Sequence, residues 1–149
     1  MAVILLLCVG ASFRRNRVWQ DSTSIWNDVV TKSPGNARAY FNLGCIYAKQ
    51  GRFKQALEMF DRSLAVNPEH VETYVRRGNA YDDLGLVSEA LEDYNRAITM
   101  APNFATAYFD RGLFFQTHGM TEEARADYKM GCELGFAPAC TSLKEVTKK

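Results

Sequence analysis

Apolar positions along this chain follow two different arrangements. Between residues 37 and 50, Tyr40, Phe41, Leu43, Gly44 and Tyr47 put apolar or small side chains at helical spacing. Between 54 and 66, Ala56, Leu57, Met59, Phe60, Leu64 and Ala65 do the same. Gly51 separates the two stretches and predicts a helix end, because glycine accepts the left-handed conformation found there. Pro68 closes the second stretch by disfavouring helix at the residue before it. Met1 to Phe13 is different: an uncharged apolar run with no period, followed at once by Arg14, Arg15 and Arg17.

The helical pattern repeats every 34 residues. Gly44, Gly78 and Gly112 fall in register, as do Tyr47, Tyr81 and Phe115. So do Gly51, Gly85 and Gly119, and also Ala56, Ala90 and Ala124. Phe60, Tyr94 and Tyr128 share a position, as do Tyr40, Tyr74 and Tyr108, and Pro34, Pro68 and Pro102. A period within about 20–50 residues marks a solenoid of stacked supersecondary units, here helix–turn–helix. Gly44 and Ala56 let the helices of one unit approach closely, with Tyr47 and Phe60 filling the space beside them. Asn36 and Asn103 are read as N-caps of first helices. Thr121, ahead of Glu122 and Glu123, is read as the cap of a second helix.

These residues together resemble the tetratricopeptide repeat family. The resemblance covers three units, 37–70, 71–104 and 105–138. It implies an all-α fold, a helix–turn–helix solenoid wound as a right-handed superhelix. The pentatricopeptide repeat, an RNA binder with a period of about 35 residues, fits the strict 34-residue register less well. Arg77 and Arg111 depart from the pattern by standing where Leu43 stands in the first unit, and Phe136 stands where the third unit's proline should be. Trp26 lies 34 residues before Phe60, so 21–36 is read as the second helix of a degenerate preceding repeat. Residues 138–149 are read as a C-terminal capping helix, which a solenoid end requires. About seven ordered helices are expected between 21 and 148.

Residues 1–20 stand apart. The apolar run is too short to span a bilayer by itself, which takes about 20 residues. One reading is the trailing end of a transmembrane helix, giving a membrane tether through residues 1–17; the other is an apolar helix packed on its neighbour with solvated arginines. An arginine-rich stretch, two tryptophans and then the repeats also resemble the junction of polytopic membrane O-mannosyltransferases that carry repeat tails. That resemblance implies an accessory tail of a membrane glycosyltransferase. Neither reading decides the compartment.

Composition narrows the chemistry. Eighteen Lys/Arg oppose seventeen Asp/Glu for a formal net charge of +1, which argues against nucleic-acid binding. Apolar residues make up 47% and charged residues 23%, a globular composition. The two histidines, His70 and His118, have no partner at metal-ligand spacing, and no phosphate loop or nucleophile elbow occurs. No enzyme activity, metal or cofactor is therefore expected. Cys132 and Cys140 lie across the last turn and are either a disulfide or two buried thiols.

Function is expected instead from the groove that first helices line in this family. The resemblance places Arg38, Phe41, Asn42, Cys45 and Lys49 on that wall from the first unit. Glu72, Val75, Arg76, Asn79 and Asp83 follow from the second, and Thr106, Phe109, Asp110, Leu113 and Thr117 from the third. Asn42 and Asn79 are candidates for bonding a ligand backbone, and Arg76 for holding a carboxylate. The two-carboxylate clamp of the chaperone-binding members does not match. Phe41 and Cys45 occupy the places of a clamp lysine and asparagine, and Thr106 and Asp110 those of a lysine and arginine. The expected partner is a peptide or protein of mixed charge, with self-association into a homo-oligomer as the alternative.

Overall fold

The computed structural model describes residues 22–148. These form eight helices: α1 (Ser22–Lys32), α2 (Ala37–Lys49), α3 (Phe53–Val66), α4 (Val71–Asp83), α5 (Val87–Met100), α6 (Ala105–Thr117), α7 (Thr121–Glu133) and α8 (Ala137–Val146). The segments read from the sequence, 21–36, three two-helix units and a terminal helix, correspond to all eight, so the expected seven is one too few. Helices α2/α3, α4/α5 and α6/α7 pair within units, while α2 meets α4 and α4 meets α6 between them. The first helices therefore sit side by side. The apolar run before Ser22, its arginines and the membrane reading lie outside the described residues. None of the described helices is long and apolar enough to cross a membrane.

Local sequence sets the ends. The Asn36 side chain accepts the Ala39 N–H at 3.1 Å and caps α2 as expected. The caps expected at Asn103 and Thr121 are displaced by one residue: Phe104 and Met120 are the N-cap residues, and neither supplies a side-chain hydrogen bond. Thr121 is instead the first residue of α7, with Glu122 and Glu123 in its first turn. Gly51 has φ of 72°; its N–H reaches Ala48 O at 2.9 Å and the Arg52 N–H reaches Tyr47 O at 2.9 Å, which satisfies the last carbonyls of α2. The same turn recurs at Gly135, where the Phe136 N–H reaches Gly131 O at 2.9 Å. So α8 folds back on α7 as a second helix folds on a first.

The core repeats unit by unit. Ala56, Ala90 and Ala124 are fully buried, and Phe60, Tyr94 and Tyr128 are at most 1% exposed. Each aromatic ring lies over the glycine of its partner helix. A Cβ built on Gly44 would meet Phe60 at 2.6 Å, one on Gly78 would meet Tyr94 at 3.0 Å, and one on Gly112 would meet Tyr128 at 2.7 Å. Trp26 and Val30 of α1 pack on the first cluster, around Tyr40, Leu43, Tyr47 and Phe60. Leu143 and Val146 of α8 cover Ala124 and Tyr128 at the other end. Cys132 and Cys140 are disulfide-bonded with Cα atoms 4.6 Å apart, resolving the choice between a disulfide and two thiols.

Arg77 and Arg111 turn out to be structural. Arg77 donates to both carboxylate oxygens of Asp93 at 2.7 and 2.8 Å and to Asp61 at 2.6 Å. Arg111 donates to both oxygens of Asp127 at 2.7 Å and to Asn95 at 2.6 Å. Burial opposes the Arg77 charge, but its bonds to Asp93 and Asp61 raise its pKa above the ordinary arginine value.

Candidate functional site

The face formed by α2, α4 and α6 carries two adjoining clefts. The first encloses about 430 Å³. Phe41, Cys45 and Lys49 line it from α2, and Glu72, Arg76, Asn79 and Asp83 from α4. Its floor is Ala48, Ala80 and Phe60. The second encloses about 210 Å³ between α4 and α6. Asn79, Asp82, Asp83, Asp110, Leu113 and Thr117 line it, over Tyr94 and Phe114. Asn79 and Asp83 belong to both clefts and so form the seam between them.

A partly buried polar chain runs along that seam. The Tyr94 hydroxyl donates to Asn79 Oδ1 at 2.7 Å. Asn79 Nδ2 donates to Asp110 Oδ2 at 3.3 Å. Arg76 approaches Asp110 at 3.8 Å and Glu72 at 3.5 Å. Burial pushes the Asp110 carboxyl above the ordinary carboxylate value, against the opposing pull of Asn79 and Arg76. Burial and then the neighbouring Asp82 push Asp83 up. Burial also raises the Cys45 thiol, which the nearby Arg76 charge partly offsets. The Tyr94 hydroxyl is raised by burial and by the acids around it, so it remains a donor.

The expected wall residues divide into groups. Phe41, Cys45, Lys49, Glu72, Arg76, Asn79, Asp83, Asp110, Leu113 and Thr117 line one cleft or both. Val75 does not belong with them. It is fully buried and packs with Ala90, Tyr94, Ala97, Ala107 and Phe114 in the core, because α4 is covered on both sides. Phe109 is turned to α7 and α8, with ring centroids 6.0 Å from Tyr128 and 5.2 Å from Phe136. Arg38, Asn42 and Thr106 line neither cleft. Asn79 was expected to bond a ligand backbone; its carbonyl oxygen and one N–H are engaged with Tyr94 and Asp110 instead.

The sequence reading did not single out Asp82, Tyr94 and Phe114 as cleft residues. His118 Nε2 donates to Asp82 Oδ1 at 2.8 Å, and the His118 ring lies 4.5 Å from Phe114. His70 is similarly engaged: its Nδ1 meets Thr73 Oγ1 at 2.6 Å and its ring stands edge-on to Phe41 at 5.0 Å. Among the described residues, no three His, Cys, Asp or Glu side chains are grouped to hold a metal ion.

Comparison with known proteins follows the same register. The family model described as tetratricopeptide repeat matches residues 37–70 and 71–104. No curated protein matches the sequence. Among solved structures, the first TPR of Spaghetti (RPAP3) bound to HSP90 peptide SRMEEVD is similar, with 25% identity and a TM-score of 0.68 over 75% of this chain and 90% of that one. The first TPR domain of the human RPAP3 protein is 25% identical, with a TM-score of 0.71 over 78% of this chain and 93% of that one. MamA is 21% identical with a TM-score of 0.74, covering 94% of this chain and 83% of its own, a likeness of fold.

Proposed function

The chain belongs to the tetratricopeptide repeat family through residues 37–104, and from that membership we infer a non-catalytic scaffold whose groove binds a peptide or a segment of a partner protein. The hairpin α6–α7 is read as a third repeat over 105–138, and α1 as half of a degenerate one. One observation carries the reading. Two clefts with apolar floors and charged rims lie side by side along first helices of consecutive units, the shape an extended chain requires.

A structural neighbour at 25% identity holds an acidic peptide, SRMEEVD. The same peptide suits this groove poorly, since Asp82, Asp83 and Asp110 all face the second cleft. The apolar positions Phe41 and Leu113 and the charge of Lys49 are offered to a ligand, whereas Arg76 already faces Glu72 and Asp110.

The test is partner capture by the immobilised chain against a variant carrying Lys49→Glu and Leu113→Glu. Both positions are exposed, so helical circular dichroism should be unchanged. Loss of the captured partners in the variant supports the groove. The same partners at the same yield on both proteins would overturn it.

A further inference from the structure

The charges on the groove wall separate by what they already hold. Glu72, Arg76 and Asp110 face one another across α4 and α6. Asp82 is engaged with His118. Lys49 and Asp83 are left: among the described residues neither makes an ion pair or a side-chain hydrogen bond. They share one position of the repeat, 34 residues apart, with opposite sign, and Thr117 holds that position in the next unit. Both line the first cleft, whose floor of Phe60 and Ala80 is apolar.

We propose that this groove is charge-polar and takes an extended peptide in one direction, with a carboxylate against Lys49, an apolar side chain in the first cleft, and an ammonium or guanidinium against Asp83. The inference rests on the peptide-binding reading above and adds the ligand's chemistry to it. A peptide of one sign satisfies one of the two open charges and is repelled by the other. The neighbouring pairs reinforce this, because Arg76 is held by Glu72 and Asp110 and adds little net field for an acidic ligand. Opposite charges at successive units also fix direction, since reversing the peptide places like charges together at both ends.

The experiment uses the full chain and four fluorescein-labelled octapeptides with a common Leu-Ala-Leu centre. Their flanks are acidic then basic, basic then acidic, all acidic, and all basic. Fluorescence anisotropy is read at low and at raised salt. One mixed-charge peptide should bind about tenfold more tightly than either single-sign peptide, the order that two surface ion pairs supply together. The advantage should shrink with salt. The double variant Lys49→Asp, Asp83→Lys should prefer the other mixed-charge peptide. Equal binding of all four, or preference for a single-sign peptide, would overturn the proposal. If Leu113→Glu abolishes such unsorted binding, the peptide-binding groove stands without its charge polarity. Binding by none of the four also overturns the proposal, and partner capture then decides the groove reading separately.

Discussion

The Arg77 guanidinium and the Asp93 carboxylate meet in a two-bond fork, at 2.7 and 2.8 Å, joining the two helices of one unit. Sixteen residues separate them, and the same spacing separates Arg111 from Asp127. In the first unit the equivalent positions are Leu43 and Met59, which share one apolar cluster. One contact is thus built in two chemistries: twice as an ion pair, once as an apolar pair. The Asp93 side chain is 6% exposed and that of Arg77 19%, so neither charge is well served by water alone.

This predicts strong coupling between the two positions. Asp93→Met alone should cost roughly 3–5 kcal/mol by leaving Arg77 half-buried without its main partner. The double variant Arg77→Leu, Asp93→Met copies the first unit and should recover most of that loss. Urea unfolding of the singles and the double gives the coupling energy directly.

The close contact at Gly44 predicts a penalty that helix propensity would not. Alanine is favoured over glycine within helices by about 1 kcal/mol. At Gly44, however, the new Cβ would lie 2.6 Å from the Phe60 ring, itself fully buried. Gly44→Ala should therefore destabilise by about 1–3 kcal/mol. Gly78→Ala should be milder, because Tyr94 stands 3.0 Å away. Thermal melts of the two variants would check the order.

Asp110 supplies a pH dependence with a definite sign. Burial raises its folded-state pKa above the ordinary carboxylate value, so the native chain holds this proton where the unfolded chain has released it. Stability from this group therefore falls as pH rises through the window above the ordinary carboxylate pKa. Asp110→Asn removes that loss while keeping an oxygen for Asn79. The stability of the variant relative to the parent should increase from about pH 4 to about pH 7 in denaturant titrations.

The Cys132–Cys140 bond closes a short loop between α7 and α8. Removing it with Cys132→Ser, Cys140→Ser should cost about 2–3 kcal/mol on the loop-entropy account. The loss should appear first as faster amide exchange in α8, which caps Tyr128 through Val146. Reduction of the denatured chain should release the thiols of Cys132 and Cys140, a gain that the Cys132→Ser, Cys140→Ser variant should not show.

The repeat was legible because small and aromatic residues must recur wherever two helices pack closely, and Gly44, Ala56 and Phe60 do so in every unit. The Arg77–Asp93 fork was legible in principle. Comparing positions sixteen apart across units would have shown Leu43 with Met59, Arg77 with Asp93 and Arg111 with Asp127 changing together. The groove was less legible, because one repeat position meets different neighbours in each unit. Phe41 lines a cleft, Val75 is buried between helices, and Phe109 is covered by Phe136. The disulfide depended on the turn at Gly135, whose φ of 87° folds α8 back, and eight-residue spacing alone does not encode that turn.

The central claim is that partners bind on the first-helix face. Leu113 on α6 lines the second cleft and Met130 lies on α7, and both are 39% exposed. Each can be replaced by photoreactive benzoylphenylalanine and irradiated with captured partner present. The account predicts covalent adducts from position 113 and none from position 130. Adducts from 130 alone, or equally from both, would contradict it.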